Sequence, residues 1–329
     1  MNCDISDIGR RALQGERLSR PHILQLVEAA RQDPHELFYW AYRVRTAVFG
    51  NCVKFCSIIP GKFGGCTEDC KWCAQPGKLS PPKMTACEEI HTAARRSASL
   101  GSANFGVVNS GRRPTPREFQ AMLDVTGQLG EAQLGLTLCG AYGELTDDQA
   151  RQLAAAGVRR YNHNLETSRR FYPQVVSTHS YDDRLRTLAA ARKAGLELCC
   201  GGIFGIGETW DDRIDLALTL RDEVAPEAVP MNFLHPIPGT ALETYQPMPP
   251  MEILAVIAIY RLILPRTDLK IAGGRELNLR DLQSWMFYVG GTSCLIGNYL
   301  ATAGRDPQTD LQMIRDVGLE VVKKLPTEG

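Results

Sequence analysis

Three closely spaced cysteines are the residues of this sequence best suited to chemistry. Cys66, Cys70 and Cys73 have the spacing CxxxCxxC and follow Gly64 and Gly65. A structural zinc site uses four protein ligands and is closed. Three thiolates instead suit a cubane [4Fe–4S] cluster, because they bind three irons and leave the fourth open. The glycines let the backbone wrap closely around such a cluster. The spacing therefore predicts an iron–sulfur centre.

The chain has 11 cysteines in all. In a reducing compartment disulfides are disfavoured, so this number favours metal binding or redox chemistry. The alternative to the cluster is a zinc loop completed by Cys52 or Cys56. The cysteines that we interpret as non-ligands are Cys3, Cys52, Cys87 and Cys294.

Composition excludes several classes of protein. The 329 residues are 44% hydrophobic and 22% charged, which is normal for a globular protein, and 37 basic residues match 37 acidic ones. The formal net charge is therefore zero, and no overall field attracts nucleic acid or an anionic membrane. No apolar run is long enough to span a membrane, and the first residues do not resemble a secretory signal. We expect a cytoplasmic protein that binds neither nucleic acid nor membrane.

Short apolar runs alternate with amphipathic helical stretches along most of the chain, which predicts a (β/α)8 TIM-type barrel with an N-terminal helical extension. We place the extension at residues 1–48 and the barrel at residues 49–329. In such a barrel the chemistry lies at the carboxyl ends of the strands. The predicted strands are Val53–Ile59, Asn104–Val108, Leu134–Cys139, Val158–Asn162, Leu196–Cys200, Ala228–Leu234, Leu269–Ala272 and Ser293–Gly297.

The cysteine triplet, with Trp72 just before its last member, resembles the signature of the radical S-adenosylmethionine (SAM) superfamily. The resemblance narrows to the biotin synthase family through Tyr161–Ser168, Cys199–Thr209 and Ala272–Glu276. It implies a (β/α)8 barrel with a [4Fe–4S] cluster and SAM, and a sulfurtransferase that inserts sulfur at C6 and C9 of dethiobiotin. It also implies an electron donor of flavodoxin or ferredoxin type, and a homodimer.

The resemblance assigns residues to SAM. Trp72 and the backbone of Ile203 would lie beside the adenine, and Asn109 belongs to the loop that meets the methionine amine. Arg184 would bind the carboxylate, a role that suits a permanently charged, bidentate guanidinium. Glu166 stands where the family usually has Asp, to accept from the ribose hydroxyls.

Three asparagines match residues that hold the ureido ring of dethiobiotin and the ribose. They are Asn162, Asn164 and Asn232, and Asn164 also counts among the SAM-binding residues. A side-chain amide both donates and accepts hydrogen bonds, as a ureido group does. We interpret His163, which lies between the first two, as structural.

The sequence departs from the family at the sulfur donor. The usual auxiliary [2Fe–2S] cluster has three Cys ligands and one Arg, but the Phe-Cys pair of the second strand is Phe105-Gly106 here. Glycine cannot bind iron. Cys56 on the neighbouring strand could supply the third thiolate of an auxiliary iron–sulfur cluster, [2Fe–2S] or a variant. The predicted ligands are Cys56, Cys139 and Cys199, with Arg275 or Cys200 as the fourth.

Two other functions stay open at this point. The missing cysteine favours a related radical SAM enzyme that inserts no sulfur, similar to hydrogenase maturases or methylornithine synthase. The asparagines, Arg275 and the cysteines of the third and fifth strands favour sulfur insertion. A non-enzymatic zinc or nucleic-acid-binding module would need a basic patch or interleaved aromatic residues, and the sequence has neither.

Overall fold

Parallel strands form the wall of a closed barrel. The computed structural model describes residues 4–77 and 79–328. The strands of that part of the chain are β1 (Cys52–Phe63), β2 (Lys83–Met84), β3 (Asn104–Asn109), β4 (Thr137–Ala141), β5 (Arg160–Asn162), β6 (Glu197–Cys199), β7 (Gly202–Phe204), β8 (Ala228–Phe233), β9 (Asp268–Ile271), β10 (Ser293–Leu295) and β11 (Glu320–Val322).

Closure comes from the pairing of β10 with β1, in which Ser293 is the register partner of Lys54. The barrel order is β1, β3, β4, β5, β6, β8, β9, β10, with every neighbouring pair parallel. The predicted eight-stranded barrel is confirmed. The third predicted strand begins later than expected, at Thr137, because Gly135 has a φ of +64° and interrupts the extended backbone.

Helices cover the outside of the barrel, and several begin with a capping box, in which a Ser or Thr hydroxyl accepts from the backbone three residues on. These caps are Thr115, Thr146, Ser180 and Thr209. The α-helices are α1 (Ser6–Leu13), α2 (Arg20–Gln32), α3 (His35–Phe49), α4 (Cys87–Ser99), α5 (Pro116–Glu131), α6 (Asp147–Ala155), α7 (Tyr172–Val175), α8 (Tyr181–Lys193), α9 (Trp210–Thr219), α10 (Pro250–Ile263), α11 (Arg275–Leu279), α12 (Trp285–Tyr288) and α13 (Pro307–Asp316). A π-helical turn, Leu220–Val224, follows α9, and a 3₁₀ turn, Arg280–Leu282, follows α11.

The first three helices pack against α10, which explains why that helix is apolar on all sides. Every residue from Ile253 to Ile263 is buried. Helices α2 and α3 both contact α10. Arg20 of α2 also forms salt bridges to Asp211 and Asp215 of α9, with the N–O distances 2.6 and 2.5 Å. Within residues 4–77 and 79–328, no helix is long and apolar enough to cross a bilayer.

Candidate active site

A cavity of about 180 Å³ lies inside the barrel and is lined by three thiols and one amine. Successive side chains of a strand alternate between the interior and the helix layer. Cys56 of β1, Cys139 of β4 and Cys199 of β6 all fall on the inward side, and so does Lys270 of β9. Four strands that are distant in sequence therefore direct three potential iron ligands and one cation into the same space.

Polar hydrogens surround the sulfur atoms in this cavity. The Nδ2 atom of Asn104 donates to Cys56 Sγ at 3.0 Å, and that of Asn162 donates to Cys199 Sγ at 3.2 Å. The Lys270 Nζ atom lies 3.3 Å from Cys199 Sγ. Burial raises the pKa of Cys139 to about 12. The Cys139 thiol therefore stays protonated until a metal ion displaces the proton, and at Cys56 and Cys199 donors are already in place to stabilise the negative charge of a thiolate.

Gly106, where the family has a cysteine, also faces this cavity. Its register partner across the sheet is Cys139. A Cβ atom built on Gly106 would lie 3.7 Å from the Cβ of Cys139 and 3.2 Å from Cγ2 of Ile58. Ile58 thus fills part of the space that a cysteine side chain would take, and Cys56, two residues earlier on β1, brings a thiol into the same cavity.

The structure does not bring Arg275 to the three thiols, contrary to the expectation from the sequence. Arg275 is fully buried, but its NH2 atom lies 2.5 Å from Asp310 Oδ2 and its NH1 atom donates to Gln283 at 2.5 Å. Gly274 has a φ of +81°, which turns the chain at the end of β9 and sends the next side chain into the helix layer. The cation in the cavity is Lys270. The sequence signal for it is a single lysine between Leu269 and Ile271 in an apolar strand.

The remaining cysteines lie elsewhere. Cys200 and Cys294 are buried in the apolar core between the sheet and the helices, because each follows an inward-facing residue of its strand. The structure therefore does not support Cys200 as a fourth ligand. Cys87 is exposed on α4, and Cys52 is half-buried at the start of β1. Cys3 lies outside the described residues.

The loop that carries Cys66, Cys70 and Cys73 is fixed by backbone hydrogen bonds. The N–H of Cys66 donates to Gln75 at 3.0 Å, and that of Lys71 donates to Val175 at 3.1 Å. The N–H groups of Glu68 and Gln75 approach Cys66 Sγ and Cys73 Sγ at 3.5 and 3.4 Å. Such donors stabilise thiolates that bind iron. Within the described part of the chain, no three His, Cys, Asp or Glu side chains are placed to hold a single metal ion.

The close packing of the backbone at Pro81 explains why position 64, just before the loop, is a glycine. Gly64 has a φ of +74°, and a Cβ atom there would lie 2.2 Å from the carbonyl oxygen of Pro81. Burial raises the pKa of Cys73 to about 11, so this thiol also requires a metal ion in order to ionise near neutral pH. The loop is therefore a preformed backbone cradle whose thiols need a cation, which fits the predicted cluster.

Two acidic residues between the cysteines connect the loop to the segment between α7 and α8. Asp69 accepts from the backbone N–H groups of Ser177 and Thr178 at 3.0 and 3.3 Å. Burial opposes its charge, but these residues donate enough hydrogen bonds to lower the pKa of Asp69 to about 2. Glu68 contacts His179 with an Oε2–Nδ1 distance of 2.6 Å.

Arg184 continues this network toward the barrel. Its NH2 atom lies 3.0 Å from His179 Nε2, its Nε donates to the Tyr172 hydroxyl at 2.6 Å, and its NH1 donates to the Asn164 carbonyl at 2.8 Å. Glu166 lies 3.8 Å from the same guanidinium. Burial raises the pKa of Glu166, although Arg184 opposes that shift.

An outer cleft of about 250 Å³ adjoins the inner cavity at the carboxyl ends of the strands. Trp72, Ile203 and Glu166, three of the residues that the resemblance assigns to SAM, line the cleft. Asn164 and Asn232 line both the cleft and the cavity. Their amides therefore stand where a molecule in the cleft would meet one in the cavity. The third asparagine, Asn162, lines the inner cavity alone.

Asn109 and His163, which the sequence analysis also singled out, lie outside both the cavity and the cleft. Asn109 is buried at the end of β3, and its two amide atoms have no hydrogen-bond partner among the described residues. It lies outside both the cavity and the cleft and beside Gly61, where a Cβ atom would approach the Asn109 Oδ1 atom to 2.5 Å. His163, interpreted as structural, is buried and stacked on Tyr161 with 6.4 Å between ring centroids. Burial lowers the pKa of His163, and it lines neither space.

Family models and relatives agree on what this chain is similar to. The radical SAM superfamily model matches residues 62–220, and the Biotin and Thiamin Synthesis associated domain matches residues 230–320. Biotin synthase of Citrifermentans bemidjiense is 42% identical over 322 residues, which cover 97% of this chain and 98% of the relative. Biotin synthase of Carboxydothermus hydrogenoformans is 41% identical over 318 residues, which cover 95% and 97%.

Solved structures share the fold at much lower identity. Methylornithine synthase superposes with a TM-score of 0.81 at 18% identity, and covers 96% of this chain and 97% of its own. A maturase of the [FeFe]-hydrogenase superposes with a TM-score of 0.85 at 15% identity, and covers 98% of this chain and 76% of its own. At such identities the likeness establishes the barrel fold alone.

Iron analysis of cysteine variants tests the two sets of thiols separately. In protein reconstituted without air, Cys139→Ala is expected to keep about four irons per chain and lose the rest, because the loop cluster has its own ligands. Cys66→Ala is expected to lose the loop cluster, and the exposed control Cys87→Ala to match the unmodified protein. About four irons in the unmodified protein, unchanged in Cys139→Ala, would contradict an auxiliary site.

Proposed function

The chain belongs to the biotin synthase family of radical SAM enzymes, and on that premise we propose which of its residues carry each part of the reaction. The reaction inserts one sulfur atom between C6 and C9 of dethiobiotin, which gives biotin. The cofactors are a [4Fe–4S] cluster, SAM and an auxiliary iron–sulfur cluster. The observation that carries the assignment to residues is the joining of a thiol-lined cavity to a cleft that contains Trp72.

The loop residues Cys66, Cys70 and Cys73 would hold the [4Fe–4S] cluster. When bound, this cluster and SAM supply the 5′-deoxyadenosyl radical, and the auxiliary cluster supplies sulfide. The contribution of the loop is rigid placement, supported by its hydrogen bonds to residues 175–178.

The cleft residues would hold SAM. We assign the adenine to Trp72 and the Ile203 backbone, the ribose to Glu166 and Asn164, and the carboxylate to Arg184. The buried guanidinium of Arg184 is permanently charged; it donates to the Tyr172 hydroxyl and the Asn164 carbonyl, and Glu166 lies 3.8 Å away as a counter-charge. We keep Asn109 as part of the loop that meets the methionine amine, through its backbone and not its side chain.

The asparagines would orient dethiobiotin between the two spaces. Asn164 and Asn232 line both spaces, and Asn162 lines the inner one. Their amides can therefore hold the ureido ring so that C9 and C6 lie between SAM in the cleft and the auxiliary cluster in the cavity. No acid or base is required for hydrogen-atom transfer. The work of these side chains is orientation, which is what a reaction between two bound groups requires.

Cys56, Cys139 and Cys199 would hold the auxiliary cluster, with Lys270 as the neighbouring cation in place of an arginine. The distance of 3.3 Å from Lys270 Nζ to Cys199 Sγ supports this choice. An ammonium group cannot bind iron while it is protonated, so its role here is to offset the negative charge of the cluster. Arg275 lies outside this proposed site, because its partners are Asp310 and Gln283.

Several further assignments rest on the sequence pattern or on the family resemblance. We propose a helical extension at residues 1–48 and a catalytic barrel at residues 49–329. We also propose reduction by a small donor protein of flavodoxin or ferredoxin type, a homodimeric assembly and a cytoplasmic location.

The activity itself is tested by turnover under strictly anaerobic conditions. The reconstituted protein, supplied with dethiobiotin, SAM and a low-potential reductant, is expected to form biotin together with 5′-deoxyadenosine and methionine. Mass spectrometry of all three products is the measurement. Cleavage of SAM without biotin would instead support a relative that inserts no sulfur, and absence of SAM cleavage would exclude both.

Lysine and arginine variants separate the cavity cation from the structural one. Lys270→Met is expected to lower biotin formation at least about tenfold and to lose auxiliary iron, because the sulfur charge loses its counterion. Arg275→Met is expected to keep that iron but to lower the free energy of unfolding by about 3–5 kcal/mol, since buried Asp310 loses its partner. Iron analysis and denaturant unfolding are the measurements. Loss of auxiliary iron from a stable Arg275→Met protein would show that Arg275 belongs to the auxiliary site after all.

A rescue experiment tests whether Cys56 replaces the usual cysteine at position 106. Cys56→Ala is expected to lose auxiliary iron, and the double variant Cys56→Ala/Gly106→Cys to regain at least about half, because position 106 faces Cys139 in the same cavity. The matched control is Cys56→Ala/Val107→Cys, because the side chain at position 107 approaches Gly61, whereas position 106 faces Cys139. Rescue by both variants, or by neither, would show that Cys56 has another role.

A further inference from the structure

The last described segment closes the barrel at the amino ends of the strands. This closing segment, residues 320–328, begins with β11, which pairs in parallel with Cys52–Lys54 of β1. Strand β3 pairs with β1 only from Cys56 onward, so β11 occupies the edge that β3 leaves open. Lys323 Nζ donates to the carbonyl of Ser102 at 2.5 Å, and Leu325 is buried. These contacts fix the segment across the end of the barrel.

Glu328 extends from the closing segment into the barrel interior. Its carboxylate pairs with Lys54 and lies 3.1 Å from the NH2 atom of Arg160. Its second oxygen accepts from the backbone N–H of Leu325 at 2.9 Å, which fixes the direction of the side chain. Lys54 and Arg160 are almost fully buried, with exposed fractions of 1% and 3%. A carboxylate from outside the barrel thus partners two cations within it.

These two cations lie directly beneath the thiol-lined cavity. Lys54 precedes Cys56 by two residues on the same face of β1, a separation of about 7 Å along a strand. Arg160 is the register partner of Cys139. Charges in a buried interior are screened much less than charges on the surface. The carboxylate of Glu328 therefore contributes to the electric field at the three sulfur atoms.

The other carboxylates in this layer are already engaged. Asp268 lies 3.2 Å from Lys54 and accepts from Ser293 at 2.5 Å. Glu197 pairs with both Arg159 and Arg160. Without Glu328, the balance of charge below the cavity would become more positive by one unit. A more positive surrounding favours the reduced state of an iron–sulfur cluster, because reduction adds an electron.

We propose that Glu328 is a positioning residue that lowers the reduction potential of the auxiliary cluster. Its carboxylate offsets the positive charges of Lys54 and Arg160 at the amino end of the barrel. This inference rests on the proposed function, since the cluster held by Cys56, Cys139 and Cys199 is part of it. The potential of the loop cluster at Cys66 is set by other surroundings and is not affected.

Redox titration of the reconstituted protein tests the proposal, with electron paramagnetic resonance to follow each cluster. In Glu328→Gln the ratio of reduced to oxidised auxiliary cluster at a fixed potential is expected to rise about tenfold, which corresponds to about 59 mV for a one-electron couple. The loop cluster is the internal control and is expected not to shift. The matched variant Glu320→Gln removes an exposed carboxylate from the same segment and is expected to shift neither cluster.

The outcomes are distinguishable from failure of the proposed function. An unmodified protein with only the loop cluster would remove both proposals, and its iron count alone reveals that case. A full complement of iron in Glu328→Gln with an unchanged auxiliary potential would overturn only the role of Glu328. So would equal shifts of both clusters, or loss of auxiliary iron from Glu328→Gln, because a more positive interior should retain an anionic cluster.

Discussion

Buried positive charge inside the barrel is the constraint on which the rest of the site depends. A buried cation is costly unless a negative group offsets it. Lys54 has Asp268 as its partner, but Lys270 contacts the sulfur of Cys199. Neutral thiols would leave the charge of Lys270 poorly compensated, whereas thiolates on iron would balance it. The positive charge in the interior is therefore balanced only when a metal group has displaced the thiol protons. In this way the requirements of folding and of cofactor binding coincide.

Much of this arrangement follows from local sequence patterns. The loop cysteines are defined by their spacing, and the barrel by the alternation of apolar runs with helices that start at Ser or Thr caps. The position of Arg275 away from the three thiols has a clear structural cause. This residue belongs to a motif that resembles the family, but it lies just beyond β9, where Gly274 reverses the backbone and alternation no longer predicts the side-chain direction. Lys270 lies within the strand, so its inward direction follows from alternation once the strand is correctly bounded.

Other features depend on three-dimensional closure and could not be predicted from a single sequence. The pairing of β10 with β1 fixes the position of Cys56 relative to the other thiols. Gly106 and Ile58 are complementary across β1 and β3, since the isoleucine takes space that a side chain at position 106 would need. The closing segment reaches Arg160 from 168 residues away in sequence. No local periodicity reports such contacts, because each arises only when distant strands share one interior.

The cluster loop and the cleft are mechanically connected, and this connection explains why acidic residues lie between the cysteines. Glu68 contacts His179, His179 contacts Arg184, and Arg184 contacts the backbone of Asn164. A displacement of the loop would therefore move the guanidinium that we assign to SAM, and with it the asparagine that lines both spaces. Hydrogen-atom transfer depends on distances that must hold within a fraction of an ångström. A continuous chain of short contacts through buried side chains maintains such distances better than separate, independently mobile loops could.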